Sequence, residues 1–194
     1  MNLLKTSVLN GVAVLIKTAT MFLLNKILAV YVGPAGYAAI GQFQNFIQMI
    51  TTFAGSAVNN AVVKYTAEYH EDELKQRAVW KTAGSIVSIF SIIFAFLVLV
   101  FYQQLSFWIF KTESYGSFLI WFAIFLIFFN LNALLLAILN GKKEILKLIT
   151  ANITGSIFSL VITGLLAIKF GLYGALIALS IYQSLNFIVT LYLS

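Results

Sequence analysis

The first apolar stretch, Thr6 to Val32, constrains the fold more than any other part of the chain. It reads TSVLNGVAVLIKTATMFLLNKILAVYV. About 20 apolar residues suffice to cross a bilayer, so this stretch spans one with room for tilt. Lys17 stands about two residues from its centre, roughly 3 Å along a helix axis. A lysine that deep does not reach either surface easily, and insertion scales put its cost at about 2.5–3.5 kcal/mol. Such a residue faces a protein interior or a water-filled cavity. The first question is therefore what the other helices offer it.

The composition agrees with a membrane protein. Of the 194 residues, 61% are hydrophobic and 9% are charged. A soluble domain carries about 25% charged residues. The absence of cysteine excludes disulfides, cysteine nucleophiles and thiolate metal sites. A net charge of +6 would suggest nucleic acid in a soluble protein. Here most cations stand in connections beside apolar segments, so the charge reports topology and no nucleic-acid partner is expected. The N-terminal run is too long for a cleavable signal and lacks a small-residue cleavage site.

Six hydrophobic segments can be drawn, at about 6–32, 37–62, 82–102, 115–139, 148–168 and 173–193. All read as transmembrane helices, because a β-barrel would show shorter alternating strands. The expected fold is an all-α polytopic bundle over residues 1–194. The first connection, Gly33-Pro34-Ala35-Gly36, is a tight uncharged break. The second, Val63 to Lys81, is polar, and the third, Gln103 to Ser114, carries only Lys111 and Glu113. The fourth, Gly141 to Glu144, is short and basic; the fifth, Lys169 to Leu172, is tight again. Gly33–Ala38 and Gly171–Ala175 echo each other, both opening a helix with small residues.

Lys5, Lys64, Lys75, Arg77, Lys81, Lys142, Lys143 and Lys147 fall on one side of the membrane, against Lys111 and Lys169 on the other. The positive-inside rule assigns the first group, the N-terminus and residue 194 to the cytoplasm. No basic anchor follows the last segment, and the chain reads as cut at Ser194.

The second segment carries a polar stripe: Gln42, Asn45, Gln48, Thr52, Ser56 and Asn59. Steps of three and four keep these on one helical face. Interhelical hydrogen bonds account for some such residues in membrane bundles. Three large amides with Asn59 exceed that need and point to a hydrated cavity. The first segment adds Asn10, Thr18 and Asn25, with Asn10 and Lys17 on nearly one face. Lys26 is nine residues from Lys17, about 180° round the helix, and near enough to the outer end to snorkel. Asn152, Ser156, Ser159 and Thr163 in the fifth segment read mainly as close packing. Ser180, Gln183 and Asn186 in the sixth are open to either reading.

All six acids, Glu68, Glu71, Asp72, Glu73, Glu113 and Glu144, lie in connections. None pairs with Lys17 at depth. Lys17 is therefore neutral through desolvation, partnered from outside these helices, or meets an anionic ligand. No P-loop or membrane acid pair is present, and no cofactor is expected. His70, beside Glu71, Asp72 and Glu73, reads as a solvated loop rather than a metal site.

Lys5, Lys17 and Lys26, then Val32-Gly33-Pro34-Ala35-Gly36, then Lys64-Tyr65-Thr66-Ala67-Glu68-Tyr69-His70, resemble the Wzx-type O-antigen and enterobacterial-common-antigen flippases. These are the lipid-linked oligosaccharide branch of the multidrug/oligosaccharidyl-lipid/polysaccharide exporter superfamily. The resemblance implies two lobes of about six helices around a central cavity, of which this chain is the N-terminal one. It also implies a bacterial inner-membrane protein that turns an undecaprenyl-pyrophosphate oligosaccharide to the periplasmic leaflet by alternating access. Lys17 would then hold pyrophosphate and Lys26 would assist near the outer mouth. Asn10, Asn25, Gln42, Asn45, Gln48, Thr52 and Asn59 would line the path. The partners implied are the lipid-linked substrate, the bilayer, a missing C-terminal lobe or second copy, and polysaccharide polymerase and chain-length machinery. A drug or cation antiporter would need membrane acids. A membrane glycosyl- or acyltransferase would rest on His70.

Overall fold

The computed structural model describes residues 3–112 and 115–194, with side chains from Val8 onward. The side chain of Lys5, and Glu113 and Ser114, lie outside the described residues. The described chain is helical with no strand. Its elements are α1 (Leu3–Thr51), a π segment (Thr52–Ser56), α2 (Ala57–Glu68), α3 (Glu73–Val100), α4 (Tyr102–Phe110), α5 (Gly116–Gly141) and α6 (Ile145–Leu193). Among the described residues, four stretches are long and apolar enough to cross a membrane: Val8–Glu68, Glu73–Val100, Gly116–Gly141 and Ile145–Leu193. The fold class is all-α and polytopic, as expected for an integral membrane protein.

The helix count differs from the six segments drawn from sequence. At two of the expected turns the flanking helices abut with no loop between them, so 6–32 runs directly into 37–62 and 148–168 into 173–193. Each joined stretch is nonetheless broken at a glycine. Gly33 has φ 74° and Gly171 φ 57°, backbone that side-chain-bearing residues rarely adopt. Pro34 follows Gly33 and starts the next arm without needing an N–H. The arms then fold back. Leu24 and Gln44 line one cleft, though twenty residues of straight helix would part them by about 30 Å. Likewise, a Cβ built on Gly155 would stand 2.8 Å from Asn186 Nδ2 across the two arms of α6.

The two breaks share a device. Three residues after each positive-φ glycine comes a second, closely packed glycine. A Cβ at Gly36 would collide with the Val32 side chain and reach Leu172 Cβ at 3.7 Å; one at Gly174 would collide with the Leu166 carbonyl. The sequence echo is thus realised as two similar breaks whose tips meet.

Two expected loops are largely helix. Val63–Lys81 reduces to Tyr69–Asp72, because α2 runs to Glu68 and α3 begins at Glu73. Asp72 caps α3, accepting a hydrogen bond from the Lys75 backbone N–H at 3.0 Å. That bond, with the Lys75 side chain, holds the Asp72 carboxyl below its usual range. The cap therefore persists above the ordinary carboxylate pKa and is lost as pH falls through the lowered one. Gln103–Ser114 is mostly α4, whose nine residues contain no glycine or proline. Leu105, Ile109 and Phe110 pack on the core, while Gln103, Gln104 and Trp108 face out.

The main core joins both arms of α1 and α6 to α5 through Leu28, Phe43, Phe118, Phe122, Leu126, Ala167 and Leu176, all buried. Phe43 and Phe118 meet edge-on at 4.9 Å. Polar locks fix the basic end. Trp80 Nε1 donates to Thr66 Oγ1 at 2.9 Å and Gln76 Nε2 to the Thr66 carbonyl at 2.8 Å. Gly141 lies against Thr66, with no room for a Cβ.

Substituting Gly171→Ala forces a methyl group into positive-φ backbone, at a cost of about 1–3 kcal/mol. Gly174→Ala adds the Leu166 clash. Both variants should lower the thermal unfolding midpoint in detergent, whereas Gly11→Ala, with open space around it, should leave it in place.

Candidate functional site: an amide-lined cleft around Lys17

The arms of α1 and α6 do not close completely against each other. Between them lies a cleft of about 370 Å³, walled by α5. The first arm of α1 contributes Lys17, Thr20 and Asn25, and the second contributes Tyr37 and Gln44. Asn132 comes from α5; Asn152, Ser156 and Ser159 from the first arm of α6; Tyr182, Gln183 and Asn186 from the second. A smaller cleft of about 360 Å³ adjoins it, sharing Gln44, Tyr182 and Gln183 and adding Gln48 and Thr51.

The lining is neutral amide and hydroxyl with one ammonium. Asn132 Nδ2 donates to Gln183 Oε1 at 3.2 Å, and Gln183 Nε2 donates to the Tyr182 hydroxyl at 3.2 Å. Asn186 Nδ2 reaches the Ala151 carbonyl at 3.5 Å over Gly155. The other oxygens of two of these amides, Asn132 Oδ1 and Asn186 Oδ1, are buried with no protein donor. Both oxygens are shielded from solvent, so the polar groups a guest can reach are those of exposed Gln44 and Asn152 and half-buried Ser156, Ser159 and Gln183.

Lys17 is paired with no carboxylate among the described residues. The ion pairs found there are Lys75–Asp72, Arg77–Glu73 and Lys147–Glu144, with a His70–Glu71 contact at 3.5 Å, all in or beside the connections. Thr20 Oγ1 donates to the Lys17 carbonyl at 2.9 Å, tying hydroxyl to backbone and leaving the ammonium unengaged by it.

The residues singled out from sequence divide. Lys17 and Asn25 line the larger cleft and Gln48 the smaller one. Asn10 is exposed two turns before Lys17, on its face, and outside the cleft lining. Lys26 is exposed on the opposite face, among Phe22, Leu23 and Val30, because nine residues turn a helix half round. Gln42, Asn45 and Thr52 are exposed on the flank of α1 and the π segment turned away from buried Phe43, Phe46 and Ile50. Asn59 is half-buried beside Gly55 and Val87 of α3, with its Oδ1 unpartnered, and takes no part in the cleft. His70 is on an exposed turn, and no group of three metal-ligating side chains exists among the described residues.

Sequence reasoning missed Gln44, Asn132 and Tyr182, and read Asn152, Ser156 and Ser159 as packing. Asn132 carried a usable signal. An amide inside the Phe- and Leu-rich run of α5 must find a partner, since hydrocarbon offers none. Its neighbour Asn130 does so structurally, donating to Ser91 Oγ at 2.9 Å. Gln44 carried no such signal, because its flanking polar residues made it one of many.

The chain contains no native cysteine, so once any cysteine elsewhere in the whole protein is replaced, single cysteines placed here report exposure directly. In membrane vesicles holding the whole natural protein, Lys17→Cys should react with a water-soluble maleimide. Lys26→Cys, facing the apolar side, should not. Equal labelling at the two positions would contradict the assignment of the cleft.

The chain was compared with known proteins. Residues 3–194 match the family described as polysaccharide biosynthesis protein. Over 186 residues, 95% of this chain, it is 28% identical to the Lipid III flippase of Escherichia coli (strain K12), and equally to that of Shigella flexneri. The chain spans 44% of the length of each relative. No solved structure matches it. The chain belongs to the polysaccharide biosynthesis protein family.

Proposed function

We propose that this chain is one lobe of a flippase for a lipid-linked oligosaccharide, and that the Lys17 cleft receives the polar part of the substrate. The observation that carries this reading is a cleft lined by one lysine and by neutral amides and hydroxyls, with no carboxylate among its described lining residues. An ammonium suits a phosphate or pyrophosphate anion. The exposed amides of Gln44 and Asn152 suit sugar hydroxyls. The relatives named Lipid III flippases support the same direction. The substrate class we favour is an undecaprenyl-pyrophosphate oligosaccharide of O-antigen or related type, moved from the cytoplasmic to the periplasmic leaflet of the bacterial inner membrane. The lysine-rich connections, the N-terminus and residue 194 are then cytoplasmic, in keeping with the positive-inside rule.

The outward polar flank of Gln42, Asn45 and Thr52 would face a second lobe, whether a C-terminal lobe or a second copy, across a shared path. Polysaccharide polymerase and chain-length machinery would act on the delivered product. The π segment Thr52–Ser56 lies between that flank and α2, and π turns recur at functional bends. It would let the upper part of the helix tilt during alternating access. The reading as translocase rather than transferase rests on the exposure of His70. Cation antiport would require a membrane acid. The described acids stand at 68–73 and 144, all in or beside connections.

The test is lipid-linked oligosaccharide flipping in vesicles with the whole natural protein. Lys17→Ala should lower the rate about tenfold or more, the worth of one charge-assisted hydrogen bond. Lys17→Arg should retain most activity, and Lys26→Ala should differ little from wild type. Full activity in Lys17→Ala would overturn the role of the cleft.

A further inference from the structure

Away from the Lys17 cleft, a second concavity runs between α2 and the first half of α3. Its volume is about 550 Å³, and it shares no residue with the cleft. Ala57 and Ala61 on one helix and Ala78 and Ala83 on the other leave it open; Ile86 closes one end and Tyr65 the other. Apart from Tyr65, its one hydroxyl is Thr82. Along each helix it extends over nine residues, about 12 Å from first to last. Both helices belong to stretches apolar enough for a membrane. The groove therefore lies on stretches able to stand against the bilayer.

The Tyr65 end is built differently. The Tyr65 and Tyr69 rings stack at 6.0 Å with an interplanar angle of 16°. Lys64 Nζ sits 5.2 Å from the Tyr65 centroid and Lys75 Nζ 5.6 Å from the Tyr69 centroid. Lys75 is already neutralised by Asp72 at 3.0 Å. Lys64 has no carboxylate partner among the described residues. The mouth of the groove thus carries aromatic rings of the kind found at membrane interfaces and one lysine with no carboxylate within ion-pair distance, the next acid along α2 being Glu68, one turn on.

We propose that this groove binds an anionic glycerophospholipid, with one acyl chain along the alanines and the phosphate on Lys64. Charge complementarity selects the occupant. A chain from the bilayer fills an alanine-walled slot without stranding polar atoms, and a net negative headgroup neutralises Lys64. A zwitterionic headgroup brings its own ammonium beside that lysine and gains less. Tyrosine rings between the two lysines give the headgroup a flat, half-polar seat. This inference does not depend on the flippase reading.

The experiment is native mass spectrometry of the whole natural protein, loaded with equal amounts of phosphatidylglycerol and phosphatidylethanolamine. The wild type should retain the anionic lipid about fivefold more, the worth of one lysine beside an anionic surface. Lys64→Gln, on an exposed position, should reduce that preference to near unity. Ala61→Phe, which fills the slot, should lower retention of both lipids; should it fail to fold, Lys64→Gln decides alone. Equal retention of the two lipids by wild type, or an unchanged preference in Lys64→Gln, overturns the proposal. So does one-for-one displacement of phosphatidylglycerol by undecaprenyl phosphate at equal concentration, which would assign the groove to a polyprenyl tail.

Discussion

Hydrocarbon offers no hydrogen bonds, and most of this structure follows from that. Every backbone amide in the membrane must be paired within its own helix, which leaves all-α architecture as the only economical choice for these segments. Every polar side chain must then find protein or water. Asn130 finds Ser91, Ser184 finds the Phe125 carbonyl, and Trp80 finds Thr66. Where pairing is incomplete, at Asn132 and Asn186, the amides line a cleft rather than the lipid surface. Asn59 is the exception: its Oδ1 is also unpartnered, and it lies outside the cleft beside Gly55.

Glycine does the second part of the work. The two longest helices would each overrun the membrane if straight. Gly33 and Gly171 break them with backbone open mainly to glycine, and Gly36 and Gly174 let the chain pack tightly after each break. The result is two folded-back helices facing one another, with aromatic packing around Phe43, Phe118 and Phe122 at one level and the cleft beside it. The same folding brings Lys17, near the centre of the first arm, opposite amides from the far end of the chain.

Much of the fold was readable beforehand, and for physical reasons. Hydrophobic length gave the apolar segments, and Gly33-Pro34 and Gly171 marked the breaks. The segment ends were less readable, because helices continue beyond the hydrocarbon wherever sequence permits. α2 runs to Glu68 despite its polarity, and α4 forms where a loop was expected, since nothing in Tyr102–Phe110 stops a helix. Lys17 was identifiable from its cost in lipid. Lys26 looked similar as a residue type, but its angular position turns it away from the cleft.

By itself the sequence determined membrane character, helical class, the glycine breaks and the position of the six acids outside the middles of the apolar segments. These are properties of composition, length and local backbone chemistry. Only the tertiary structure decided which polar residues share a space. Gln44 lies on the cleft and Asn45 faces out because adjacent helical residues point about 100° apart, and the core residues Phe43, Phe46 and Ile47 set which direction is inward. Asn132, Tyr182 and Gln183 meet Lys17 through the packing of three separate helical units, a juxtaposition that no local pattern encodes.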